Sequence, residues 1–66
     1  MFNDIAFLTY VAQTEAIEDF INDLARADDP NDLSTQQRLA YANNLDINAL
    51  TSYEINYIQE EVSKRR

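Results

Sequence analysis

Ile17, Phe20, Ile21 and Leu24 recur at helical spacing, and Glu15, Glu18, Asp19, Asn22 and Arg26 occupy the opposite positions. An apolar stripe of that period with a charged back predicts an amphipathic helix over residues 14–27 that packs on one side only. Thr14 stands where an N-cap belongs, the acids after it suit the positive end of a helix dipole, and Asp28-Asp29-Pro30-Asn31-Asp32 closes the helix.

Upstream the pattern changes. Ile5, Phe7, Leu8, Tyr10 and Val11 spread around most of a helical wheel and are out of phase with the stripe that follows. Residues 5–11 also have β propensity, but no second strand-like run exists to pair with them. A short helix over residues 4–12, begun at Asn3 or Asp4, is therefore expected, with a break near Gln13-Thr14; one continuous helix is the rival reading. Such a segment needs cover on several sides, which makes Phe7 and Val11 the expected contacts of a self-association interface.

Two later helix starts share a vocabulary. Leu33-Ser34-Thr35-Gln36-Gln37 fits a capping box with Ser34 as N-cap and Gln37 at the third helical position, opening a helix that runs to about residue 43. Leu50-Thr51-Ser52-Tyr53-Glu54-Ile55 fits the box better and adds a Leu50 to Ile55 staple, opening a helix over residues 52–64. Asn43-Asn44 tolerates the left-handed backbone that a helix end asks for, and residues 45–49 read as one short turn capped by Asp46. The expected fold is all-α, a small irregular bundle of three or four short helices in one domain spanning residues 1–66.

Composition narrows the chemistry. The 66 residues include no His, Cys or Gly, which removes the usual neutral-pH base, the thiol nucleophile, soft metal ligands and a glycine-rich phosphate cradle. The core must come from three Phe, six Ile, six Leu and two Val, with no disulfide to help, and a chain of this size buries only about 60% of its unfolded surface. Stability is then thin, and oligomerisation is the common remedy. The run at residues 5–12 falls far short of the roughly 20 apolar residues that cross a bilayer, and Asp4 stands where a signal peptide wants positive charge. A soluble, cytoplasmic protein with no membrane partner is the expectation.

Twelve acids oppose five bases, for a net charge of −7, and Lys64, Arg65 and Arg66 are three of the five. A surface of that sign repels nucleic acid and anionic membranes and attracts basic partners. Glu15, Asp19 and Asp23 follow one another at i, i+4 spacing and repel, which costs helix stability and suggests use; a plain solubilising face is the alternative. Tyr53 and Tyr57 lie one turn apart and away from the Ile55, Ile58, Val62 stripe, as interface anchors do. The cluster Asp28, Asp29, Asp32 fails the EF-hand template, lacking its glycine and its closing glutamate, and reads as a capped turn. No paired carboxylates have a pocket that would set one up as an acid and the other as a base. The basic tail is expected to offset the dipole of its own helix and fray into solvent.

Residues 39–54, Leu-Ala-Tyr-Ala-Asn-Asn-Leu-Asp-Ile-Asn-Ala-Leu-Thr-Ser-Tyr-Glu, resemble a helix-turn-helix unit of the phage-repressor type. The resemblance places Ala40 in the first helix, Asn44 at the turn, Asp46 as cap of the second helix, and Leu50 and Tyr53 inward. It implies DNA binding, yet the outward positions Ile47, Asn48 and Ser52 include no Arg or Lys to neutralise phosphate.

These features predict a non-enzymatic acidic interaction module, an adaptor or inhibitor that binds a basic surface of a larger protein and can thereby block a nucleic-acid site. Its partner-binding residues are Glu15, Glu18, Asp19, Asp23, Tyr53 and Tyr57; no catalytic residue, metal or cofactor is called for. A small helix-turn-helix DNA-binding regulator is the alternative, and a self-assembling component, such as a homodimer, is the third. The size suits a phage or mobile-element protein.

Overall fold

The structure, a computed structural model, describes the backbone of residues 4–66 and the side chains of residues 13–66. Helix α1 is Asp4–Ala25, α2 is Leu33–Ala42 and α3 is Ser52–Arg65, with a 3₁₀ turn at Ile47–Ala49 between the last two. The fold is all-α, as expected, and has no strand among the described residues.

The break expected near Gln13-Thr14 does not occur. Residues 4–25 form one helix of 22 residues, and Thr14 lies in its interior instead of capping a second one. The physical reason is local: no glycine or proline interrupts this stretch, and a change in the phase of the apolar stripe does not by itself open backbone hydrogen bonds. The Gln13 amide also donates to Glu54 Oε2 at 3.1 Å, fastening this turn to the start of α3.

The second helix starts from a different cap. Asp32, not Ser34, is the N-cap: its carboxylate accepts the Thr35 backbone N–H and the Thr35 hydroxyl, both at 3.0 Å. An ionised acceptor at a helix N-terminus also interacts with the dipole, which a serine cannot do. The Gln36 amide turns back to the Pro30 carbonyl at 2.7 Å, closing the connection.

Local chemistry explains the end of α2. Asn44 takes φ 56°, Leu45 N–H reaches Ala40 O at 2.8 Å and Asn44 N–H reaches Tyr41 O at 3.1 Å, the paired bonds of a Schellman motif. Leu45 and Ala40 are both buried, supplying the apolar contact that accompanies the motif. Asp46 then caps the 3₁₀ turn through Asn48 N–H at 3.0 Å. Thr51 and Glu54 form the full capping box of α3, with Thr51 N–H donating to Glu54 Oε1 at 2.9 Å and Glu54 N–H to Thr51 Oγ1 at 3.1 Å.

The core joins Ile17, Phe20, Ile21 and Leu24 of α1 to Ala40, Leu45, Ile58 and Val62. Ile21 is wholly buried at its centre. Side-chain links pair residue 13 with 54, 18 with 57, and 22 with 65, so α1 and α3 run parallel. Parallel helices bring two negative dipole ends together, an unfavourable arrangement unless positive charge is placed there.

Candidate functional site

That positive charge is the C-terminal triplet. Arg66 Nη1 donates to Ala27 O at 2.8 Å and Ala25 O at 3.3 Å, serving carbonyls that the end of α1 leaves without helical partners. Arg65 reaches Asn22 Oδ1 at 2.8 Å, Glu61 at 3.0 Å and Glu18 at 3.3 Å, while Lys64 pairs with Glu61 at 3.2 Å. The tail therefore does not fray into solvent; it clasps α1 to α3. The hydrogen bond from Arg65, then that from Lys64, holds the Glu61 carboxyl below its ordinary pKa, and Glu61 in turn raises that of Arg65.

Turning the bases inward changes the acidic face. Of the five bases, Arg26, Lys64 and Arg65 are in ion pairs with Asp23, Glu61 and Glu18, and Arg66 is held by carbonyls. Asp23 also accepts from the Asn43 amide at 3.0 Å, and this bond, with Arg26 beside it, keeps its carboxyl below the ordinary value. Asp32, Asp46 and Glu54 cap helices, and Asp29 accepts Asn31 N–H at 3.2 Å. Glu15 and Asp19 remain exposed, with no hydrogen bond or ion pair to another described residue.

Tyr57 borders this face. Its hydroxyl donates to Glu18 Oε2 at 3.2 Å, placing the ring on the acidic side of the α1–α3 seam. Partial desolvation of the ring, and then the Glu18 carboxylate, raise the phenol above its usual pKa. Tyr53 stands one turn earlier on α3 and is 80% exposed. Thus the expected partner-binding residues divide: Glu15, Asp19 and Tyr53 are free surface, Glu18 and Tyr57 tie α1 to α3, and Asp23 serves the α1–α2 contact. The side chains of Phe7 and Val11, expected at a self-association interface, lie outside the described residues.

The helix-turn-helix geometry is not formed. Its second helix would run unbroken from Asp46 past Tyr53, whereas the 3₁₀ turn ends at Ala49 and α3 begins afresh at Ser52. The Thr51 capping box accounts for the new start, because it satisfies the first N–H groups of α3 locally.

On the opposite side of α3 from Tyr57 is a groove that the sequence did not reveal. It encloses about 410 Å³ between α1, the Pro30-Asn31 connection, the 3₁₀ turn and α3, and its walls include Phe20, Leu24, Ile47, Leu50, Ile55 and Ile58. Residues that meet there come from five separate segments, Gln36 of α2 included, so no single periodic stripe announces it. A second depression of about 400 Å³ lies over Ala40, Leu45 and Asn48, beside Tyr41, which is 85% exposed. Among the described residues no group of three or more carboxylates is placed to hold a metal ion, and no helix is long and apolar enough to cross a membrane. No protein-family model, curated protein or solved structure matches the chain.

Proposed function

We propose that the protein is a non-enzymatic interaction module whose acidic α1 face, centred on Glu15 and Asp19 and flanked by Tyr53 and Tyr57, docks on a basic surface of a larger protein. The observation that carries this reading is the inward turn of Arg65 and Arg66: the fold ties its own cations to Glu18 and to the end of α1 while Glu15 and Asp19 keep no cation. Neighbouring carboxylates left in that state repel one another, and a cationic partner relieves the repulsion on binding. Exposed aromatic rings beside them supply apolar contact area at small entropic cost. A partner whose basic surface ordinarily holds nucleic acid would be inhibited by such binding.

Affinity capture with wild-type protein and with the double variant Glu15→Lys, Asp19→Lys tests the reading. Both positions are exposed, so the variant keeps its fold, which circular dichroism verifies. A basic protein retained by the wild type and lost from the variant is the expected result. Capture of the same proteins by both would overturn the proposal.

A further inference from the structure

The groove and the N-terminal turns of α1 are complementary in a way that a single copy cannot satisfy. In a chain with twelve acids, the described residues that line the groove include no Asp or Glu and one base, Arg66. Residues 5–14 form the longest uncharged run in the sequence, and residues 5–12 of it are mostly apolar. These are the two parts of the protein that another copy, also at −7, can approach without bringing carboxylates together.

The run cannot cover its own groove. Helix α1 is continuous through residues 4–25, so residue 8 is held about 18 Å along the axis from Phe20, the nearest α1 residue on the groove wall, at 1.5 Å per residue. Helix α1 is 22 residues long, and the molecule is 46 Å long but only 21 by 19 Å across. A continuous helix that leads away from its own groove can enter one on a second molecule.

We infer that the protein forms a reciprocal homodimer in which residues 5–12 of each copy lie in the groove of the other, packing against Ile47, Leu50, Ile55 and Gln59. The contact is a helix in an apolar groove, made twice about a twofold axis. None of Glu15, Glu18, Asp19, Tyr53 and Tyr57 lines the groove, so the dimer leaves the acidic face free for a partner. Because both copies carry the same charge, added salt strengthens the dimer, whereas salt weakens binding of a basic protein. The opposite signs separate this inference from the proposed function.

Sedimentation equilibrium of the full chain, at low and at high salt, tests it. The wild type is expected to dimerise in the micromolar range, more tightly at high salt. Val11→Glu, in the inserted segment, and Ile55→Glu, in the groove, should each weaken the dimer by roughly tenfold or more, since each buries an unpaired charge. Gln59→Glu places a carboxylate on the exposed rim of the groove without touching the core, and should weaken it too. A mixture of Val11→Glu and Ile55→Glu chains retains one intact segment and one intact groove, and should form heterodimers better than either variant forms homodimers. A monomeric wild type at high salt would overturn the inference, as would Ile55→Glu and Gln59→Glu chains that dimerise like the wild type.

Discussion

Arg66 Nη1 lies 2.8 Å from the carbonyl oxygen of Ala27, so the C-cap residue of α3 closes the end of the first helix. With Arg65 on Asn22 and Glu18, this contact compensates the two parallel helix dipoles at the end where both are negative. The same placement removes those cations from the acidic face. Fold and surface chemistry are thus coupled through two arginines.

Replacing Arg66 by Ala should lower the thermal midpoint, and Arg66→Lys should restore only part of the loss, because an ammonium is more strongly hydrated than a guanidinium and its reach differs. The effect should shrink in high salt as the dipole component is screened. A midpoint unchanged in Arg66→Ala would show that the clasp contributes nothing in solution. Thermal melts followed by circular dichroism provide the measurement.

Helix caps give a sharper comparison. Asp32→Ala should cost about 1 kcal/mol, the usual effect of deleting a cap, while Ser34→Ala should be close to neutral. Thr51→Ala should also cost about 1 kcal/mol and Glu54→Ala somewhat less, with the double variant less than additive because both act on one box. Urea titrations of the five variants and the wild type check these values. A larger loss at Ser34 than at Asp32 would contradict the observed start of α2.

What the sequence made legible was local. The Thr51 to Glu54 box, the left-handed Asn44, the Asp46 cap and the Ile17, Phe20, Ile21, Leu24 stripe each depend on residues within a turn or two of one another, and each is present in the fold. Asp32 was hidden because it reads equally well as a turn residue that ends the preceding helix. The continuity of α1 was obscured by a shift of apolar phase, which bears on what a helix packs against and not on whether it continues. Arg66 on Ala27 and the groove walls join residues far apart in the chain, and no short-range pattern encodes them. On the acidic face, the exposed pair Glu15 and Asp19 was legible from the helical wheel. The engagement of Glu18 by Tyr57 and Arg65 was not, because it required the parallel register of α1 and α3.

Acid should destabilise the fold through Asp23 and Glu61. Both carboxyls have pKa values lowered in the folded state, by Asn43 and Arg26 for Asp23 and by Arg65 and Lys64 for Glu61. A lowered folded pKa means that the unfolded chain binds the proton more tightly, so the contribution is complete above the ordinary carboxylate range and disappears as pH falls through the folded values. Asn43→Ala should remove part of this acid sensitivity and bring the Asp23 carboxyl back toward its ordinary pKa. NMR titration of the side-chain carboxyls measures both shifts; a normal Asp23 in the wild type would contradict the Asn43 contact.

Tyr57 should ionise above the ordinary tyrosine range, because its ring is partly desolvated and its hydroxyl is bound to Glu18. Since the folded value is raised, the associated stability is present below the ordinary tyrosine range and is lost as pH rises through the folded value. Glu18→Gln should bring Tyr57 only part of the way back, because desolvation is the larger cause. Ultraviolet titration of the wild type and of Tyr57→Phe isolates this ring, and an ordinary tyrosine value for it would contradict the contact.

The most direct test of the acidic face is the rate at which it meets its partner. With the basic protein recovered by affinity capture, association is measured for wild type and for Glu15→Lys, Asp19→Lys across a range of salt. Steering by Glu15 and Asp19 predicts a wild-type rate that falls steeply with salt, and a variant at least about tenfold slower at low salt that converges with the wild type when charges are screened. Equal association rates at low salt would contradict the account and leave these carboxylates as a solubilising coat.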